Sequence, residues 1–83
     1  MTKKELKKAM IEEMEGYISC CNNMWQDYLD SHFEDKSAER CADAFRHSAF
    51  TTVHLMKNLG IIKEDEHDAM ITDIVSRTCN YKW

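Results

Sequence analysis

The stretch TKKELKKAMIEEMEGYISCCNNMWQDYLD, residues 2–30, decides the fold, because apolar side chains recur through it with the period of an α-helix. It opens with Thr-Lys-Lys-Glu, a capping box in which the Thr2 hydroxyl accepts from the Glu5 amide and the Glu5 carboxylate reaches back to the Thr2 amide. We therefore predict a first helix over about residues 3–30. Its apolar stripe comprises Leu6, Met10, Met14, Tyr17, Ile18, Cys21, Met24, Trp25 and Tyr28, with Ile11 and Leu29 at the margins.

The second helix is predicted after a short connection. Residues 31–36 lose the period and collect short polar and acidic side chains, as connections between helices do. We predict Ser37 as the N-cap of a helix over about residues 38–59, with Gly60 as the left-handed residue beyond its end. The predicted inner face comprises Ala38, Cys41, Ala42, Phe45, Ala49, Thr52, Val53, Met56 and Leu59.

A third helix follows the apolar pair at positions 61–62. Three acidic residues at positions 64–66 supply the negative charge that stabilises a helix N-terminus, so we predict a helix over about residues 64–80. Its predicted inner face comprises His67, Met70, Ile71, Ile74, Thr78 and Tyr81. Three amphipathic helices with short connections predict an all-α fold, a compact three-helix antiparallel bundle with a long first helix. Residues 1–83 then form a single helical domain.

The segment Leu-Gly-Ile-Ile-Lys-Glu-Asp-Glu, residues 59–66, resembles a known turn. It is similar to the Gly-Ile-Ile-Thr-Glu-Glu-Glu turn of short bacterial helical hairpins, including those that resemble the SHOCT family, although Lys63 stands where that pattern has its Thr or Ser cap. The resemblance implies a turn between two helices and carries no function.

Composition excludes several classes of function. The chain has 83 residues, no proline, two glycines and a formal net charge of -4, which is the wrong sign for a generic nucleic-acid binder. The N-terminus leads into a charged helix pattern without the apolar segment of a signal peptide, so we expect a cytoplasmic protein whose four cysteines are thiols. No apolar run approaches the roughly 20 residues of a membrane span, so we expect no membrane partner.

Two alternatives to protein binding were open at this level. A helix-turn-helix DNA-binding regulator would place the third helix in the major groove, yet that helix begins with acidic residues. A metal- or redox-responsive protein would use Cys or His side chains, but no Cys-x-x-Cys or His-x-x-x-His pair occurs and a single Glu64-x-x-His67 stands alone. Cys21 and Cys41 lie on apolar stripes and are expected to be buried, while Cys20 and Cys79 lie off them. We predict no cofactor, no metal site and no catalytic residue, hence no enzyme.

The outer face of the second helix is the predicted protein-binding surface. Phe50 lies about 140° from the centre of the apolar face. An aromatic side chain within a polar rim is typical of a binding hot spot, so we predict that Phe50 is exposed in the isolated protein. Its predicted neighbours on this surface are Asp43, Arg46, His47 and His54.

Self-association is the second predicted contact. The first helix repeats apolar side chains in alternating four- and three-residue steps, as a coiled-coil seam does, and this predicts a homodimer. The seam comprises Met10, Met14, Tyr17, Cys21, Met24 and Tyr28. The leading functional hypothesis is a small helical interaction protein, a regulator or inhibitor of a larger protein; phage or mobile-element inhibitors of the anti-defence and anti-CRISPR type are one example.

Overall fold

The computed structural model describes residues 2–78 and contains three α-helices within them: α1 (Lys3–Asp30), α2 (Lys36–Asn58) and α3 (Glu64–Thr78). The predicted all-α bundle with a long first helix is confirmed. The predicted end of the third helix near residue 80, together with Cys79 and Tyr81, lies outside the described residues. None of the three helices is long and apolar enough to cross a lipid bilayer.

Side-chain contacts between the helices show the direction in which each helix runs. Lys7 meets Glu66 and Glu15 meets Arg77, so α1 and α3 run in the same direction. Arg46, early in α2, contacts Thr78 at the end of α3, and His54, later in α2, contacts His67 near the start of α3. The two helices therefore run antiparallel. The chain therefore passes up, down and up again, as expected for helices joined by short turns.

The start of α1 is the predicted capping box. The Glu5 amide donates to the Thr2 hydroxyl oxygen at 3.1 Å, and the Thr2 amide donates to Glu5 Oε1 at 3.4 Å. These bonds satisfy two of the amides that a helix N-terminus leaves without a backbone partner.

The start of α2 corrects the prediction. The N-cap is Asp35, not Ser37, because the Asp35 carboxylate accepts from the Ala38 amide at 3.1 Å. Both residue types cap helices well, and the sequence offers them two positions apart. The helix begins at Lys36, and Ser37 lies inside its first turn.

The core divides into two clusters along the bundle. One lies where all three helices meet, and its buried members are Met10, Met14, Ile18, Ala49, Val53, Met56, Ile62 and Ile74. The other lies where α1 packs against α2, and its buried members are Cys21, Trp25, Tyr28, Ala38 and Ala42. Cys41, predicted on the inner face of α2, is exposed instead, because the neighbouring Ala42 takes the position that faces α1.

Two ion pairs tie α3 to α1. Lys7 Nζ lies 2.8 Å from Glu66 Oε2, and the Arg77 guanidinium donates to both carboxylate oxygens of Glu15. The hydrogen bond from Arg77 lowers the pKa of Glu15, and the hydrogen bond from Lys7 lowers the pKa of Glu66. The lowered pKa values favour the charged carboxylates, and these charges attract Arg77 and Lys7 across the contact between α3 and α1.

Candidate functional site

The predicted binding face of α2 is partly covered by α3. Arg46 Nε donates to Thr78 Oγ1 at 2.9 Å, and His54 Nδ1 lies 2.8 Å from His67 Nε2. Phe50 sits between these two contacts along the helix; it is half-buried and packs against the core, so the prediction that it is exposed was wrong. The physical reason is that α2 has two helical neighbours and buries two faces, whereas a single apolar stripe was assigned to it.

The remaining members of that predicted face stay at the surface. His47 Nε2 lies 3.4 Å from Asp43 Oδ1, and both side chains are well exposed. The rings of His47 and Phe50 form a T-shaped contact with centroids 6.4 Å apart. The Arg46 guanidinium lies over the Phe50 ring, 5.1 Å from its centroid. Phe50 is therefore partly covered by groups of its own chain, and its role in protein binding stays a prediction.

The predicted dimer seam on α1 is covered within one chain. Met10, Met14, Cys21 and Tyr28 are buried, and Tyr17 and Met24 are half-buried, because α2 packs along them. The alternating steps that predicted a homodimer are thus explained by the packing of α1 against α2. The oligomeric state itself stays a prediction.

The cysteines differ in access to solvent. Cys21 is fully buried, and this burial raises the pKa of its thiol to about 11, which keeps it protonated and unreactive. Cys20 and Cys41 are exposed free thiols. Within residues 2–78 no group of three His, Cys, Asp or Glu side chains is placed to hold a metal ion.

The turn between α1 and α2 presents a cluster that the sequence analysis did not single out. We call Trp25, Tyr28, Phe33 and Lys36 the aromatic tip. The Trp25 and Tyr28 ring centroids are 5.2 Å apart, and the Phe33 ring meets Tyr28 edge-to-face at 5.4 Å. The series runs from buried Trp25 and Tyr28 to Phe33, which is 58% exposed.

Lys36 closes one side of the aromatic tip. Its ammonium lies 5.2 Å from the Tyr28 ring centroid and donates to the Tyr28 hydroxyl at 3.2 Å. This hydrogen bond raises the pKa of Lys36. The cation therefore holds the ring against which Phe33 rests.

The backbone of the aromatic tip is held by a Schellman motif. The His32 amide donates to the Leu29 carbonyl at 3.0 Å, and the Phe33 amide donates to the Tyr28 carbonyl at 3.1 Å. His32 and Phe33 both adopt left-handed backbone, with φ of 58° and 66°. For residues with a side chain this conformation costs roughly 1–2 kcal/mol each, so the surrounding hydrogen bonds must enforce it.

Ser31 supplies two of the enforcing bonds. Its hydroxyl donates to the Tyr28 carbonyl at 2.7 Å and accepts from the Asp35 amide at 2.9 Å. One side chain thus connects the end of α1 to the cap of α2. The turn that carries Phe33 is therefore held by hydrogen bonds within the chain itself.

The segment that carries the exposed ring is rich in acidic residues. Four exposed carboxylates lie on or next to the turn, and among residues 27–36 the basic side chains are His32 and Lys36. The four carboxylates are Asp27, Asp30, Glu34 and Asp35. The aromatic tip therefore combines an exposed apolar ring with carboxylates that are close to it in sequence.

A signal for this site was present in the sequence. Phe33 is the one large apolar side chain in a connection of otherwise polar and acidic residues, where solubility favours none. The helical period indicates which residues share a face of a helix, and it gives no information about a residue outside any helix. Its exposure depends on the turn conformation, which the sequence pattern did not reveal.

Comparison with known proteins adds no assignment: no family model, no curated protein and no solved structure matches the chain.

Proposed function

We propose that the protein is a small helical binding module, a regulator or inhibitor that docks on a larger protein by inserting Phe33 into an apolar pocket of that partner. The observation that carries this proposal is the exposed Phe33 ring, held on left-handed backbone at the aromatic tip. Strained backbone persists where the surrounding structure enforces it, and such positions concentrate at binding sites.

The energetics of Phe33 favour an anchor. Burial of an exposed phenylalanine contributes about 1.5–3 kcal/mol, and aromatic anchors dominate many interfaces. The hydrogen bonds of the Schellman motif and of Ser31 already order the turn, so little conformational entropy is lost on binding. A rigid aromatic side chain on an ordered turn is therefore an efficient contact.

The charge of this segment defines the partner. Exposed carboxylates such as Asp30 and Glu34 are close to Phe33 in sequence, so a complementary surface carries Lys or Arg beside the pocket. Opposite charges raise the association rate more than the final affinity, and salt screens them. A partner with an acidic rim would be repelled.

Other exposed apolar side chains lack this support. Leu55 and Leu59 lie on one side of α2 near its C-terminal end, and Val75 lies on α3. Leu55 and Leu59 form a small pair one turn apart, and exposed aliphatic side chains of this kind are common on folded domains and need no partner. They serve as matched controls for Phe33.

The test compares three immobilised proteins: wild type, Phe33→Ala and Leu55→Ala. We expect wild type and Leu55→Ala to retain the same protein from an extract of the source cells, and Phe33→Ala to lose it. With that protein purified, Phe33→Ala should weaken binding at least tenfold, which corresponds to about 1.4 kcal/mol. Added salt should lower the association rate.

Three outcomes would contradict the proposal. The first is retention of the partner by Phe33→Ala with unchanged affinity. The second is equal loss in Phe33→Ala and Leu55→Ala. The third is the absence of any protein retained by the wild type in stoichiometric amount.

A further inference from the structure

Two histidines meet where α2 packs against α3. His54 Nδ1 lies 2.8 Å from His67 Nε2, and the ring centroids are 4.8 Å apart with an angle of 39° between the planes. His67 is well covered, with 12% of its side chain exposed, whereas His54 is exposed. The pair is thus accessible from solvent on the His54 side.

Asp68 determines which nitrogen of His67 carries the proton. Its Oδ1 lies 3.0 Å from His67 Nδ1, and a carboxylate can only accept. The proton of neutral His67 is therefore on Nδ1, and the lone pair of Nε2 faces His54. A carboxylate on the far nitrogen is the usual support of an imidazole that binds a metal ion, since it orients the ring and raises its basicity.

The spacing of the two nitrogens suits one metal ion. Ligand nitrogens about 2.0–2.1 Å from a shared ion lie about 2.9 Å apart at a right angle, and about 3.3 Å apart at a tetrahedral angle. The separation of 2.8 Å is that of the hydrogen bond in the free protein, so a small ring rotation is enough to let one ion contact both nitrogens. Imidazole pairs at right angles are suited to Ni²⁺ and Cu²⁺.

We propose that His54 Nδ1 and His67 Nε2 form a site for a divalent transition-metal ion that links α2 to α3. In the free protein His54 Nδ1 donates its proton to His67 Nε2. On binding, this proton moves to His54 Nε2, and a rotation of the exposed His54 ring turns Nδ1 toward the ion. Both ligands are then neutral imidazoles and no nitrogen is used twice.

The surroundings supply charge but no further ligand. Glu64 lies one turn before His67 on α3 and pairs with Lys57 of α2 at 3.5 Å, and Asp68 lies beside His67. These carboxylates offset the charge of the ion. Since no third His, Cys, Asp or Glu joins a group within residues 2–78, water or an atom of another molecule fills the other positions.

The experiment titrates NiCl₂ into the protein in a buffer that does not chelate metals, after alkylation of the accessible thiols. Calorimetry should give one ion per chain. At a free Ni²⁺ concentration a hundredfold above Kd, the ratio of folded to unfolded protein should increase about a hundredfold, measured as a rise in Tm.

Variants separate the site from incidental binding. His54→Ala removes an exposed ligand and should abolish the stoichiometric binding and the rise in Tm. Asp68→Asn keeps both ligands and should weaken binding about 10- to 100-fold. His47→Ala, an exposed histidine on the same helix, is the matched control and should bind as the wild type does.

The proposal is overturned if wild type binds no ion below millimolar concentration, or if His54→Ala binds as tightly as wild type. Loss of binding in His47→Ala equal to that in His54→Ala would place the site elsewhere. His54 and Asp68 are both exposed, so these variants are expected to fold even if His67→Ala does not. The result is independent of the partner of Phe33.

Discussion

The turns that end α1 and α2 share one backbone pattern and differ in their side chains. Both are Schellman motifs, in which the two residues beyond the C-cap donate back to the last turn of the helix. After α2 the left-handed residue is Gly60, with φ of 71°, and the next residue, Ile61, packs against the core. After α1 the corresponding residues are His32 and Phe33, and Phe33 points into solvent.

The difference shows that one turn serves the core and the other serves the surface. Beyond Gly60 the chain returns as α3, which covers the apolar residues of the turn, and Ile62 is buried there. At the opposite turn the described residues that meet come from α1 and α2, and none of residues 2–78 covers Phe33. Left-handed backbone without glycine at that turn reduces stability, as is common where a site is shaped for binding.

The largest expected effect is in the α2–α3 turn. Ile62→Ala should lower the free energy of unfolding by about 2–5 kcal/mol, because it leaves a cavity at a buried position. Phe33→Ala should lower it by about 1 kcal/mol or less, since an exposed ring loses only its contact with Tyr28. Urea unfolding measures both; equal losses would refute the division of the two turns into core and surface.

Glycine substitutions give the next effect. Gly60→Ala should lower the free energy of unfolding by about 1–2 kcal/mol, the cost of left-handed backbone for alanine. Space is not the cause, since a Cβ atom at Gly60 would meet nothing within 4 Å. Gly16→Ala is the control: it lies inside α1 with equal space and should raise stability by about 0.8–1 kcal/mol. A loss at both positions would argue against a purely backbone effect at Gly60.

His32→Gly should have the opposite sign to Gly60→Ala. Glycine adopts the left-handed backbone of position 32 without strain, although it also gains entropy in the unfolded chain. We expect a net rise of about 0.5–1 kcal/mol in the free energy of unfolding, below the full strain of roughly 1–2 kcal/mol. Chemical denaturation of the variant checks this, and unchanged or reduced stability would mean that the His32 side chain contributes more than its backbone costs.

The smallest expected effect is on the pH dependence of stability, through the ion pair of Glu15 and Arg77. The pKa of Glu15 is lower in the folded chain than its ordinary value of 4.5, so its pairing with Arg77 stabilises the fold above that pH and is lost as the pH falls through the lowered pKa. Glu15→Gln should lower stability at pH 7 by less than about 1 kcal/mol, because the pair is well exposed, and should flatten the acid dependence.

Glu12→Gln is the control for the acid prediction. Glu12 is an exposed carboxylate on the same helix. Unfolding curves recorded from pH 3 to pH 7 give the pH dependence of the free energy of unfolding. This dependence should decrease more in Glu15→Gln than in Glu12→Gln. Equal profiles for Glu15→Gln and wild type would show that the pairing with Arg77 does not form in solution.

Local rules accounted for the helices and the start of α1. The capping box needs only Thr2 and Glu5, which are three residues apart, and Gly60 needs only a helix that ends before it. The α2 cap was misplaced because two good caps, Asp35 and Ser37, compete within three residues. Which of them acts is decided by the turn, where Ser31 holds the Asp35 amide.

The sequence by itself determined three amphipathic helices, their approximate starts, the ends of the first two, and the face of α1 that is buried. Only the tertiary structure decided what α2 buries, where Phe50 lies, and that Phe33 is exposed. The physical reason is that a helical period reports how apolar residues are arranged around one axis, and does not report how many neighbours that axis has. The helical period alone predicts an outer face that contains Arg46, Phe50 and His54. The structure shows that these residues contact α3 or the core. Phe33 belongs to no helix, so its exposure follows from the backbone angles of a turn that two packed helices hold in place.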